Sequence, residues 1–387
     1  MQQRLALLFL LALLTISNAK FGDFFNFGTF VDIAKELNYP VEIHKITTQD
    51  GYILTFFRIQ AKGQNSLKSG LPVIYLQHGF IDSSDTWIIN EESAAPGFRL
   101  ANQGYDVWLG NSRGNKYSME HVTLKNSNSK FWEFSWQDMA EFDLPAAFEY
   151  IHKHTSQQIT YIGHSQGTTI MFAALSEQNP VIQKYLKKYI AFNPVTYVSK
   201  ITSGPMLLMA NSPLETVMKT LHMNQFMPSE FLTSSFGSTF CKMFSNVCGD
   251  FLKLACGADP ELDNYARSSY FMKHVPSGTS AQDAIHWKQL VKSKGFKKFD
   301  FGGPENVKRY GRPTPPDYNL GNIKVPVYMF LGKYDTLVND VDLQSLLRDL
   351  SGSESVKYQL YSAGHMTFLW SKNDSFYFND LLNVLKK

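Results

Sequence analysis

The chain of 387 residues carries a formal net charge of +3 and is 44% apolar, enough for a full core in one large domain or two smaller ones and too much for a disordered chain. That balance, with no basic cluster interleaved with aromatics, lacks the footprint of a nucleic-acid binder. No internal repeat is visible, and no apolar run approaches the roughly 20 residues that a membrane-spanning helix requires, so no transmembrane anchor is expected.

In chain order, Met1 to Ala19 reads as a signal peptide. Arg4 precedes an apolar run from Leu5 to Ile16, and Ser17-Asn18-Ala19 offers small residues where a signal peptidase cuts. The mature chain is therefore expected outside the cytosol, secreted or lysosomal. Glu42 to Thr48 and Tyr52 to Ile59, joined across Gln49-Asp50-Gly51, predict an antiparallel hairpin. Val73 to Leu76, Asp106 to Leu109, Ile159 to Ile162, Tyr189 to Phe192, Val325 to Leu331 and Val356 to Leu360 are short, mostly apolar runs of the kind buried in parallel sheets. Helical patterns such as Trp136 to His152 separate most of them, so the fold class is α/β with a mostly parallel sheet.

The run Ile159-Thr160-Tyr161-Ile162 enters Gly163-His164-Ser165-Gln166-Gly167 and leaves as a helical apolar pattern. That is the strand, sharp turn and helix of a nucleophile elbow, with Ser165 as the nucleophile and the glycines removing side chains that would strike neighbouring strand or helix. Between Asn193-Pro194 and Arg312-Pro313-Thr314-Pro315-Pro316 the strand signals stop. The segment is helical, aromatic and holds seven of the thirteen methionines, which either offer adaptable apolar surface to acyl chains or pack helix on helix. Three cysteines, Cys241, Cys248 and Cys256, share one stretch of it, which in an oxidising compartment implies one disulfide and one spare thiol without fixing the pairing. A structural zinc site is disfavoured, since it wants four ligands and His222 and His274 lack paired spacing.

A serine nucleophile needs a base, and the base an acid to hold its tautomer, in the chain order Ser, Asp or Glu, His. His365 follows the last strand in the loop Ala363-Gly364-His365-Met366, and Asp335 follows Val325 to Leu331. Asp340 is the rival acid, at the start of a predicted helix from Val341 to Leu350 where an aspartate serves the helix terminus. The oxyanion of a tetrahedral intermediate needs backbone donors. Gln166, after the nucleophile, supplies one, and Phe80, after the turn Gln77-His78-Gly79, the other; His78 reads as a loop-shaping residue.

The chain resembles the acid lipase family, the gastric and lysosomal acid lipase type of α/β-hydrolases. The resemblance is carried by Thr48-Gln49-Asp50-Gly51-Tyr52-Ile53-Leu54, Leu76-Gln77-His78-Gly79, Gly104 to Asn115, Gly163 to Thr169 and Pro276-Ser277-Gly278-Thr279-Ser280. It implies an α/β-hydrolase core at 20–194 and 314–387, and a helical cap at 195–313 that includes a lid at about 221–256. It also implies hydrolysis of triacylglycerols or sterol esters at emulsion or membrane surfaces without metal or cofactor. Ser165, Asp335 and His365 occupy the matching triad positions, and Phe80 and Gln166 the oxyanion positions, Phe80 standing where relatives usually have leucine. Cys241 and Cys248 match the family's bonded pair at a tighter spacing than usual, and Cys256 its unpaired thiol. Asn373-Asp374-Ser375 is a glycosylation acceptor pattern. The competing functions are an esterase of smaller soluble esters and an inactive lipid-binding relative; the intact serine, histidine and aspartate oppose the latter. The lid holds Phe226, Met227, Phe231, Leu232 and further large apolar residues, so it is expected to cover Ser165 in water and open at an interface.

Overall fold

The computed structural model describes residues 28–229, 254 and 256–386. The signal segment, most of the expected lid, Cys241 and Cys248 lie outside the described residues. Strands β1 (Val41–Thr47) and β2 (Tyr52–Ile59) pair antiparallel, Val41 opposite Ile59 and Thr47 opposite Ile53. Their turn is tied by Thr48, which donates to the Asp50 carboxylate at 2.6 Å and accepts the Tyr52 N–H at 2.9 Å, with Gly51 at φ 99°.

The six runs become β3 (Val73–Gln77), β4 (Asp106–Gly110), β6 (Ile159–His164), β7 (Leu186–Phe192), β10 (Val327–Gly332) and β11 (Val356–Tyr361). They join the hairpin in one sheet ordered β1-β2-β4-β3-β6-β7-β10-β11, with the short β5 (Glu120–His121) beside β2. From β4 to β11 every pairing is parallel. The chain steps from β3 outward to β4, then returns to the other side of β3 as β6. The direction of winding reverses between β3 and β6, and open α/β sheets bind their ligands beyond the carboxyl ends of the strands at such a point.

Period-two alternation splits the core into two layers. Tyr75, Tyr161, Tyr189 and Met329 point to the face covered by the helices Leu144–Thr155 and Gln166–Ser176. Leu76, Ile162, Ile190 and Phe330 point to the other face, under Phe30–Glu36, Pro96–Asn102 and Phe378–Lys386.

Several elements differ from the sequence reading for identifiable reasons. β7 begins at Leu186 rather than Tyr189, since the buried Lys188 ammonium donates to the Val384 and Leu385 carbonyls at 2.8 and 2.9 Å and so tolerates a strand position. β10 begins after Pro326, which has no N–H to give the ladder. β11 is an edge strand, mostly exposed. The predicted helix Trp136 to His152 is Trp136–Asp138, a wide π turn at Met139–Asp143, then Leu144–Thr155, the irregularity falling where Pro145 removes a hydrogen bond. Strands do not stop between β7 and β10: β8 (Gln225–Phe226) pairs antiparallel with β9 (Thr279–Ser280). The methionines described there are packed, with Met209, Met218 and Met272 buried.

Beside the hairpin turn, the fully buried Arg113 guanidinium pairs with Asp143 at 2.6 Å and Asp50 at 2.5 Å, and its carbon lies 4.0 Å from the Tyr52 ring centre. Removing one member of a buried ion pair strands the others, so Arg113→Ala is expected to lower stability by about 3–5 kcal/mol in urea unfolding. A loss below about 1 kcal/mol would mean that water already screens the pair.

Candidate active site

The turn out of β6 holds Ser165 at φ 52° and ψ −122°, a left-handed backbone that a residue with a side chain adopts at a cost of about 1–3 kcal/mol. Its neighbours enforce the conformation. A β-carbon on Gly167 would stand 2.5 Å from the Gln77 carbonyl oxygen at the end of β3, and one on Gly163 would stand 2.7 Å from the Gly167 carbonyl. The Ser165 N–H donates to the Phe192 carbonyl at the end of β7, and Thr168 returns its N–H and hydroxyl to the Ser165 carbonyl at 2.8 and 2.6 Å. From beneath, the Tyr161 and Tyr189 hydroxyls donate to the Gly167 and Thr168 carbonyls.

His365 sits in the loop after β11, with Nδ1 2.6 Å from Asp335 Oδ2. The other oxygen of Asp335 accepts the Leu337 and Val338 N–H groups at 2.7 and 3.2 Å, so the carboxylate is clamped. Asp340 is exposed at the first position of the helix Asp340–Asp349, whose cap is Asn339. His365 Nε2 is buried and has no hydrogen-bond partner among the described residues, Ser165 included. Such contacts commonly tighten only once substrate is bound.

Two residues that sequence reasoning missed position this loop. Asn193, directly after β7, donates to the Gly364 and His365 carbonyls at 3.1 and 2.8 Å and accepts the Gly332 N–H. His164 donates from Nε2 to the His365 carbonyl at 2.8 Å, and burial holds its imidazole neutral, far below the usual range. The signal for Asn193 was available: a polar residue at the carboxyl end of a buried strand, which marked only a boundary in the sequence reading.

On the opposite side, a β-carbon on Gly79 would lie 3.0 Å from Ser165 Cβ and 3.4 Å from Oγ, so the loop after β3 passes against the serine. The N–H groups of Phe80 and Gln166 donate to no backbone carbonyl among the described residues. His78 shapes the loop: Nε2 accepts the Ser112 N–H at 3.1 Å and Nδ1 donates to the Gly79 carbonyl at 2.8 Å, burial pushing its pKa down to about 4. Further along, buried Asp85 meets Lys116 at 2.6 Å, His274 at 2.8 Å and the Tyr117 hydroxyl at 2.9 Å. Burial alone would raise that carboxyl; Lys116 and His274 outweigh it and hold it below the usual range. The Ser277 N–H adds a bond to the Ile81 carbonyl at 2.7 Å, fastening the Phe80 loop to the chain before β9.

Asp283, fully buried beside this site, has its carboxyl pushed up to about 7 by burial. Below the ordinary carboxyl pKa both folded and unfolded forms are protonated; as pH rises toward 7 only the unfolded form ionises, so stability is lost across that window. Asp283→Asn cannot ionise. Relative to the parent it is expected to gain up to about 4 kcal/mol in unfolding free energy between pH 4 and pH 8. Parallel stability profiles for the two proteins would contradict the assignment. His286, whose buried imidazole is pushed down to about 3, acts with the opposite sign, losing stability as pH falls below its ordinary pKa.

Of the remaining predicted sites, Asn373 is exposed, its amide oxygen accepting the Ser375 hydroxyl at 2.5 Å. Cys256 is a free thiol pushed up to about 12 by burial, and its carbonyl accepts the His365 N–H at 2.9 Å. Among the described residues no helix is long and apolar enough to cross a membrane.

A strained serine turn at the switch point of a parallel sheet, bonded through His164 to the loop of a histidine–aspartate pair carried by the last two strand loops, is the architecture of an α/β hydrolase. Residues 72–372 match the family described as alpha/beta hydrolase fold, and residues 30–91 the partial alpha/beta-hydrolase lipase region. The chain belongs to the acid lipase family of α/β hydrolases. It is 38% identical over 338 residues to gastric triacylglycerol lipase of Rattus norvegicus, covering 86% of this chain and 85% of that one. To lysosomal acid lipase/cholesteryl ester hydrolase of Homo sapiens it is 35% identical over 365 residues, covering 92% and 90%. Among solved structures, a soluble variant of monoglyceride lipase from Saccharomyces cerevisiae shares the fold at TM-score 0.52 and 15% identity, covering 90% of this chain and 93% of that one. A thioesterase domain from the curacin biosynthetic pathway does so at TM-score 0.50 and 16% identity, covering 90% and 100%.

Proposed function

We propose that this chain is a serine lipase that hydrolyses the carboxylic ester bonds of neutral lipids, triacylglycerols or sterol esters or both, through an acyl-enzyme intermediate. The observation that carries the reading is the elbow serine, whose neighbour His164 bonds to the His365 carbonyl, beside a buried His365–Asp335 pair in a chain of this lipase family. Ser165 Oγ attacks the ester carbonyl as His365 Nε2 takes its proton, and Asp335 holds Nδ1–H and offsets the charge that forms on the imidazole. The oxyanion is met by the Phe80 and Gln166 N–H groups. His365 then returns the proton to the leaving alcohol, and a water activated in the same way releases the fatty acid.

The same reading assigns 20–194 and 314–387 to the core and 195–313 to the cap, with a lid at about 221–256. In support, the only lid aromatic among the described residues, Phe226, is buried and stacks on Phe80 at 5.9 Å, directly above the oxyanion loop. Removal of residues 1–19, secretion or lysosomal delivery, a Cys241–Cys248 disulfide and glycosylation at Asn373 complete the proposal. The test is hydrolysis by purified protein of emulsified triolein, cholesteryl oleate and a dissolved short-chain ester, from acid to neutral pH. Turnover of at least one emulsified long-chain ester is expected; turnover of the short ester alone would make this a soluble esterase.

A further inference from the structure

We propose that Trp287 is a positioning residue of the oxyanion site, acting on both backbone donors at once. The inference rests on the reading of Phe80 and Gln166 as those donors. Trp287 lies on the helix Ala281–Ser293, in the stretch between β7 and β10, and is 3% exposed. Its indole N–H donates to Gln166 Oε1 at 2.6 Å, and its ring stands edge-on to Phe80, centroids 6.4 Å apart. Phe80 also stacks on Phe226, whose strand partner Thr279 donates its hydroxyl to Asp283 at 2.8 Å. Asp283 in turn hydrogen-bonds the Gln166 side chain, whose Nε2 also reaches Met139 Sδ at 3.7 Å.

Gln166 is the first residue of its helix, so the direction of its N–H follows the setting of that turn. With its side chain fully buried and gripped from several sides, the turn can rotate only by breaking hydrogen bonds that nothing replaces. An oxyanion donor stabilises the developing charge only while it stays within about 2.7–3.1 Å of where the oxygen will be. Trp287 therefore keeps the Gln166 donor aimed by its N–H and the Phe80 donor in place by its ring. Packing alone would explain the ring contact but not the indole hydrogen bond to the residue after the nucleophile.

Trp287→Phe removes the N–H and keeps a ring. Rates should be measured on a dissolved butyrate ester, with active sites counted by phosphonate titration so that misfolded protein does not enter the result. The turnover number per active site is expected to fall about tenfold with KM changed less than about twofold, and affinity for a trifluoromethyl ketone, whose adduct carries the oxyanion, should fall by the same factor. Gln166→Leu, which keeps the backbone N–H, should lose about as much, and adding Trp287→Phe to it should cost less than about twofold more. The Gln166→Leu measurement also decides the matter should Trp287→Phe fail to fold. An unchanged turnover number in either single variant, or losses that multiply in the double variant, would overturn the role of Trp287. Failure of the parent protein to take up the phosphonate at Ser165 would overturn the catalytic reading itself.

Discussion

Ser165→Ala is expected to remove measurable ester turnover, a loss on the order of a millionfold, while the melting profile stays close to that of the parent. The change deletes one oxygen from a small side chain whose backbone is already held at φ 52° by contacts that do not involve it. The Thr168 bonds to the Ser165 carbonyl survive, as does the Phe192 contact. His365 would then have no hydroxyl to deprotonate. Substantial turnover by well-folded, uncontaminated Ser165→Ala protein would place the nucleophile elsewhere.

Asp335→Asn should lower turnover about ten thousandfold with little change in fold. The geometry says why so small a change has so large an effect. The oxygen that accepts the Leu337 and Val338 N–H groups must remain an oxygen, which leaves the amide nitrogen of the variant in the place of Oδ2, against His365 Nδ1. Nδ1 must then accept rather than donate, so the imidazole carries its proton on Nε2 and cannot take one from Ser165. Asp340→Asn, at an exposed position in the first helical turn, should change turnover less than about twofold. If the Asp340 variant is the more damaging of the two, the acid has been misassigned.

The parts of this fold legible from the chain are those whose physics is local. β3 and β6 are buried on both faces and so appear as mostly apolar runs, and the elbow is legible because Gly163, Ser165 and Gly167 answer steric demands within a few residues of each other. Lys188 hid the start of β7, since nothing nearby in sequence announces the helix-end carbonyls that accept its protons. β8 and β9 are two residues each and find each other across more than fifty residues, beyond the reach of any periodicity. Helix-terminus chemistry favours Asp335 over Asp340 in the sequence, and the clamped carboxylate against His365 adds a geometric reason. Asn193 at least stood out as a polar residue ending a buried strand, whereas Trp287 reaches Gln166 through one hydrogen bond between distant segments, which leaves no pattern in a sequence read alone.

The most direct test of the account is the site at which an activated fluorophosphonate bonds to the native protein. Attack by the serine oxygen on phosphorus expels fluoride and leaves a stable ester that mass spectrometry can locate after proteolysis. Stoichiometric labelling of Ser165, with loss of triolein hydrolysis in step with label uptake and no labelling of Asp335→Asn on the same timescale, is the result predicted here. Full inactivation with the label on another residue, or full activity in protein quantitatively labelled at Ser165, would contradict it.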